Sequence, residues 1–169
     1  MNAAQRRQRI LDELDQADRP LPAAVLAQRL SVSRQIIVGD VALLRAGGSP
    51  ITATPRGYVL DRPQTGLVRA VACFHAPEDM ERELTLIVDQ GCTVVDVVVD
   101  HPVYGQLTGP LDLSSRYDIS EFIRKLEGNS ALPLSSLTDG IHLHTLRCPN
   151  QAAFDRAVAA LEQEGFLAR

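Results

Sequence analysis

Residues 141–144 read Ile-His-Leu-His, two imidazoles two positions apart in a segment built like a β-strand. Side chains at i and i+2 of a strand share a face, so His142 and His144 converge while Ile141 and Leu143 point the other way. Spaced roughly 7 Å apart along the strand, the two rings can turn toward one cation. The other two histidines of the chain, His75 and His101, also lie beyond residue 70. A metal site in the C-terminal part is the sharpest chemistry these residues suggest.

Spacing alone leaves that open. An isolated His-x-His on a strand is also found as surface or hydrogen-bonded histidine. The segment after His75 carries Glu78, Asp79, Glu81 and Glu83. If the first and last strands of a small antiparallel sheet are neighbours, His75 joins the His142/His144 face. Three histidines and a carboxylate suit a borderline divalent cation. A metal-dependent hydrolase is the rival chemistry, with Glu83 or Asp100 as general base. Against it stand a domain of only about 100 residues and the lack of a phosphate loop or nucleophile motif in the sequence.

The elements that must position these groups fall into two parts. The 169 residues are 45% hydrophobic with a net charge of -4. Residues 1–65 hold nine Arg against six acidic residues, a net of +3, and the remainder holds eight basic against fifteen acidic, a net of -7. A basic end on an acidic body points weakly to nucleic acid at that end. No apolar run approaches the roughly 20 residues of a membrane span, and the polar, basic N-terminus lacks a signal-peptide core. A cytoplasmic location is expected. Three cysteines, Cys73, Cys92 and Cys148, with no Cys-x-x-Cys pair, read as reduced, buried thiols.

In the first part, residues 4–17 place Ile10, Leu11 and Leu14 at helical spacing. Pro20 breaks the pattern. A second helix is expected over Leu21–Leu30, with Pro22 in its first turn. Ser33 is a good N-cap for a third helix to about Ala46, buried through Ile37, Val41 and Leu44 and ended by Gly47-Gly48. Residues 51–54 and 58–60 flank a Pro-Arg-Gly turn as a hairpin. Three helices and a hairpin in this order form a winged helix-turn-helix. The run LAQRLSVSRQIIVGDVALLRAGG, residues 26–48, resembles the pattern of bacterial winged-helix repressors. Ser33, Arg34 and Gln35 then present donors to base edges, Arg45 reaches a phosphate, and Arg56 in the wing meets minor groove or backbone. Val38 and Gly39 stand where such repressors often carry polar or basic residues.

Residues 61–66 read as a polar linker between domains 1–62 and 66–169. Strands are expected at Leu67–His75, Thr93–Val99, Gln106–Ser114 and Ile141–Arg147, with helices at Pro77–Gln90, Tyr117–Glu127 and from about Gln151 to Glu164. The fold class is α+β: a winged helix-turn-helix, then a two-layer sandwich with an antiparallel sheet in the order β-α-β-β-α-β-α.

This second domain resembles the three-histidine domain fused to a winged helix in niacin-responsive repressors of the NiaR type. The words that carry the resemblance are His75-Ala76-Pro77-Glu78, the run from Val95 to Gly105 containing His101-Pro102-Val103-Tyr104-Gly105, Gly140-Ile141-His142-Leu143-His144-Thr145, and Gly165-Phe166-Leu167. It covers essentially the whole chain. The resemblance implies a homodimeric DNA-binding repressor of NAD biosynthesis or niacin uptake genes, with nicotinic acid as effector. It implies a divalent transition metal (Ni, Zn or Fe) held by His75, Glu83, His142 and His144. His101 is not among those ligands; it shapes its turn or contacts the effector. The alternative within the same frame is a regulator for which the metal itself is the signal.

Overall fold

The computed structural model describes residues 1–62 and 65–169. Of the linker expected at 61–66, Pro63 and Gln64 lie outside the described residues. The chain divides into two compact units, Met1–Gln64 and Thr65–Arg169. Among the described residues, no helix is long and apolar enough to cross a membrane.

The N-terminal unit holds three helices, α1 (Ala3–Gln16), α2 (Ala23–Leu30) and α3 (Arg34–Ala46), and a hairpin of β1 (Ile51–Thr54) with β2 (Gly57–Leu60). Asn2 and Gln5 close a reciprocal capping box on α1. The α2–α3 turn needs a left-handed residue, and Ser31 supplies it at φ 54°. Ile10, Leu14, Leu26, Ile37, Val41 and Ile51 form the core. The second helix starts later than expected: Leu21 is not helical. Its backbone exchanges two 2.9 Å hydrogen bonds with Tyr58, adding a third short strand to the wing. Gly57 makes this possible, because a Cβ there would lie 2.4 Å from the Leu21 carbonyl carbon.

The C-terminal unit carries a four-stranded sheet and three helices. Its strands are β3 (Leu67–Phe74), β4 (Thr93–His101), β5 (Gly105–Leu113) and β6 (Ile141–Cys148); its helices are α4 (Met80–Val88), α5 (Arg116–Gly128) and α6 (Gln151–Gln163). The spatial order is β3-β6-β4-β5, with every neighbouring pair antiparallel. The first and last strands of the domain are therefore neighbours. The helix expected from Pro77 opens instead as a 3-10 turn, Pro77–Asp79, before α4 begins. A second 3-10 turn, Leu134–Thr138, precedes β6.

One face of the sheet is buried under helices. Along β6, His142, His144, Leu146 and Cys148 are buried, whereas Ile141 is exposed and Leu143 partly so. Leu84 and Ile87 from α4, Ile119 from α5 and Ala153, Ala157 and Leu161 from α6 complete the core.

The expectation of three reduced thiols is corrected here. Cys92 and Cys148 form a disulfide across 56 residues of chain, and only Cys73 is a free thiol. The β4–β6 register pairs Thr93 with Arg147. One step outward, the same antiparallel register sets residues 92 and 148 opposite each other, a proximity that linear spacing does not reveal.

Candidate metal centre and nucleic-acid interface

In the C-terminal unit, three imidazoles meet one carboxylate. His142 and His144 enter from β6, His75 from the residue after β3, and Glu83 descends from the first turn of α4. Glu83 Oε1 lies 3.1 Å from His142 Nε2, and Oε2 lies 3.2 Å from His144 Nε2 and 2.7 Å from His75 Nε2. All four residues are buried: Glu83 is 0% exposed, and His75 the most exposed at 7%.

The far side of each ring fixes its tautomer. His75 Nδ1 is 2.8 Å from the Ala76 carbonyl, His142 Nδ1 is 2.9 Å from that of Gly140, and His144 Nδ1 is 2.7 Å from that of Asp96. A carbonyl oxygen only accepts, so each Nδ1 carries the proton and donates. All three Nε2 lone pairs are left facing the Glu83 carboxylate. Metal-binding histidines are oriented in this way, with the non-ligating nitrogen tied to a backbone carbonyl.

Without a cation, protons must fill these gaps. Burial pushes the Glu83 carboxyl up, but the charge of His144 and contacts with all three rings outweigh it and hold it well below the usual range. Burial likewise lowers His75 and His144, and the Glu83 carboxylate overrides it in both, leaving them raised. The His75 Nε2 contact with Glu83, at 2.7 Å, is an ion pair rather than a well-aligned hydrogen bond. Each ring nitrogen lies 2.7–3.2 Å from a Glu83 oxygen, close enough for both to reach one cation at bond lengths of about 2.1 Å. The donor set fits a borderline divalent ion.

Gly140 joins the two halves of the cluster. Its φ is +95°, and a Cβ on it would lie 2.5 Å from the His75 carbonyl oxygen. Its own carbonyl accepts from His142.

His101 sits elsewhere in its hairpin. Its Nδ1 accepts from the backbone N–H groups of Val103 (3.1 Å) and Tyr104 (3.2 Å), and its ring packs on Tyr104. The turn-shaping alternative describes these contacts. Sequence reasoning passed over Cys73, which stands directly opposite His142 in the β3–β6 register. Burial, then the charge of Glu83 and its contact with the sulfur, push this thiol up.

In the N-terminal unit, Ser33 caps α3 by accepting from the Ile36 N–H. Arg34 and Gln35 follow it on the exposed first turn, Arg45 is exposed in the last turn, and Arg56 lies in the β1–β2 turn. Asp40 lies in the same helix, in the run of residues 26–48 that resembles bacterial winged-helix repressors. It is 5% exposed and bound by Arg6 at 2.5 Å and Arg7 at 3.5 Å, fastening α3 to α1.

A family model described as HTH domain matches residues 6–59 and one described as 3H domain matches residues 68–169. The chain is 46% identical over 168 residues to "Transcription repressor NadR" of Bacillus subtilis (strain 168), covering 97% of this chain and 93% of that protein. It is 44% identical over 154 residues to "Probable transcription repressor NiaR" of Thermotoga maritima, covering 91% and 88%. The chain belongs to the NadR/NiaR family of transcription repressors. The HTH match places DNA binding in the N-terminal unit. Membership also sets aside the hydrolase alternative, because these relatives are repressors rather than enzymes.

Proposed function

We infer that this repressor controls its operator in response to nicotinic acid, through a divalent transition metal (Ni, Zn or Fe) bound by His75, Glu83, His142 and His144. The observation that carries this reading is the common orientation of the three rings, each Nδ1 tied to a carbonyl and each Nε2 turned to Glu83. When bound, the metal supplies a fixed positive charge that attracts the effector's carboxylate or ring nitrogen. The carbonyls of Ala76, Gly140 and Asp96 hold the rings in place, and Glu83 offsets cationic charge that would be costly to bury alone.

The neighbouring groove supports placing the anion at the metal. About 450 Å³ in volume, it has an apolar lining that includes Met80, Ile123 and Leu126, but its charged groups are Glu78, Glu81 and Glu127. A carboxylate is repelled there. The repressor acts as a homodimer through its 3H domain, since one winged helix makes too few base contacts for operator-level specificity. Effector binding favours the arrangement of the two reading heads that matches the half-site spacing.

A gel shift on the chain's own upstream region tests this reading. Nicotinic acid with metal should tighten binding; no nicotinate-dependent change would overturn the effector assignment. His142→Ala with His144→Ala should lose both bound metal and the response while the N-terminal unit stays folded. The burial of all four ligands favours a second reading, in which the cation is itself the signal. Metal-only dependence of operator binding would select it.

A further inference from the structure

The cluster around Glu83 contains a donor of a different chemical kind. Cys73 Sγ, a Glu83 carboxylate oxygen and a His142 ring nitrogen all lie within 4.8 Å of one another, and all three residues are buried. The placement follows from the fold. Cys73 and His75 are two positions apart near the end of β3, and Cys73 is paired with His142 on β6, so its side chain shares the helix-covered face with the imidazoles. Leu167 bridges to the outer side of Cys73, leaving the residue 0% exposed. His75, two residues further on, meets the same Glu83 carboxylate at 2.7 Å.

We propose that Cys73 is a sulfur ligand of the metal centre, making it a mixed nitrogen, oxygen and thiolate site. The inference rests on the metal reading above and adds a soft donor to an otherwise borderline set, favouring thiophilic ions over hard ones. On binding, the S–H bond breaks, a metal–sulfur bond forms and the proton leaves to solvent, with no change of oxidation state. The sulfur of Cys92 or Cys148 does not substitute while those two residues are bonded to each other.

The test uses the full chain loaded with Co(II) under non-reducing conditions. The wild type should show a thiolate-to-cobalt charge-transfer band in the near ultraviolet. X-ray absorption should find one sulfur scatterer at about 2.3 Å, the distance for a zinc-like thiolate bond. Cys73→Ser and Cys73→Ala should both lose the band while retaining cobalt on the remaining ligands. Bound cobalt in the wild type with neither band nor sulfur scatterer would overturn the sulfur ligand and leave the histidine–glutamate centre standing. A band that persists in Cys73→Ala would do the same. Failure of the wild type to bind cobalt, zinc or nickel would overturn both. The scattering measurement on the wild type decides the matter even if a variant does not fold.

Discussion

Glu83 and His144 are 61 residues apart in the chain and 3.2 Å apart in space. The contact joins a helix to the strand beneath it, and His75 and His142 meet the same carboxylate. Glu83→Gln keeps the shape and removes the charge. It should weaken metal binding sharply, measured as metal content after dialysis, because the site then loses the carboxylate that touches all three rings.

The pH response should reverse sign with metal loading. In the metal-free chain, His75 and His144 are raised, so their contribution is complete below the unfolded value of about 6.5 and is lost as pH rises through their folded values. Glu83 is lowered, so its contribution is present above about 4.3 and lost as pH falls through its folded value. The metal-free C-terminal unit should therefore weaken from neutral pH upward. The loaded unit should strengthen over the same range as protons cease to compete for Nε2. Calorimetric midpoints with chelator and with zinc would show the two slopes.

Gly39 lies on the exposed side of α3, and a Cβ there meets no protein atom within 4 Å. Gly39→Ala should raise the stability of the N-terminal unit by about 1 kcal/mol through helix propensity. With α3 read as the recognition helix, a DNA backbone would fill this open space, and operator affinity, measured by gel shift, should fall.

Asp40 faces inward from the same helix and binds Arg6. Asp40→Ala removes a charged hydrogen-bond acceptor from a nearly buried position, and the thermal midpoint of the N-terminal unit should drop by the equivalent of about 2 kcal/mol. Arg6 is itself 16% exposed, so it retains some access to water and the cost stays below that of a sealed pair.

Arg34 and Arg45 should separate base reading from phosphate contact. Arg34→Ala is expected to cost about 1–3 kcal/mol on the true operator and to relax preference at one base position. Arg45→Ala should weaken binding to all sequences alike and reduce the salt slope by about 1. Binding isotherms on matched and scrambled duplexes at several salt concentrations measure both.

The winged helix was legible because its signals are local. Ser33 announces the cap of α3, and Ile37 and Val41 recur at helical spacing. The α+β organisation of the second domain was legible for the same reason, from alternation in β6 and β-branched residues in β4. What local pattern could not carry was partnership across strands. The Cys92–Cys148 disulfide and the Cys73–His142 juxtaposition both arise from register, which couples residues 56 and 69 positions apart. Glu83 came from resemblance; four acids within six residues offer no local reason to choose it until the helix is laid on the sheet. Leu21 was misplaced because its apolar character suits a helix start, whereas its backbone groups go to Tyr58.

Gly140 contributes no side chain, yet the spacing between the two arms of the cluster depends on that missing side chain. The His75 backbone occupies the volume a methyl group would take, while the Gly140 carbonyl steadies His142. An alanine at this position would act as a wedge between the end of β3 and the start of β6, spreading the donors without altering any of them. The smallest residue in the cluster thus sets its gauge, and the functional word begins at the glycine rather than at the first histidine.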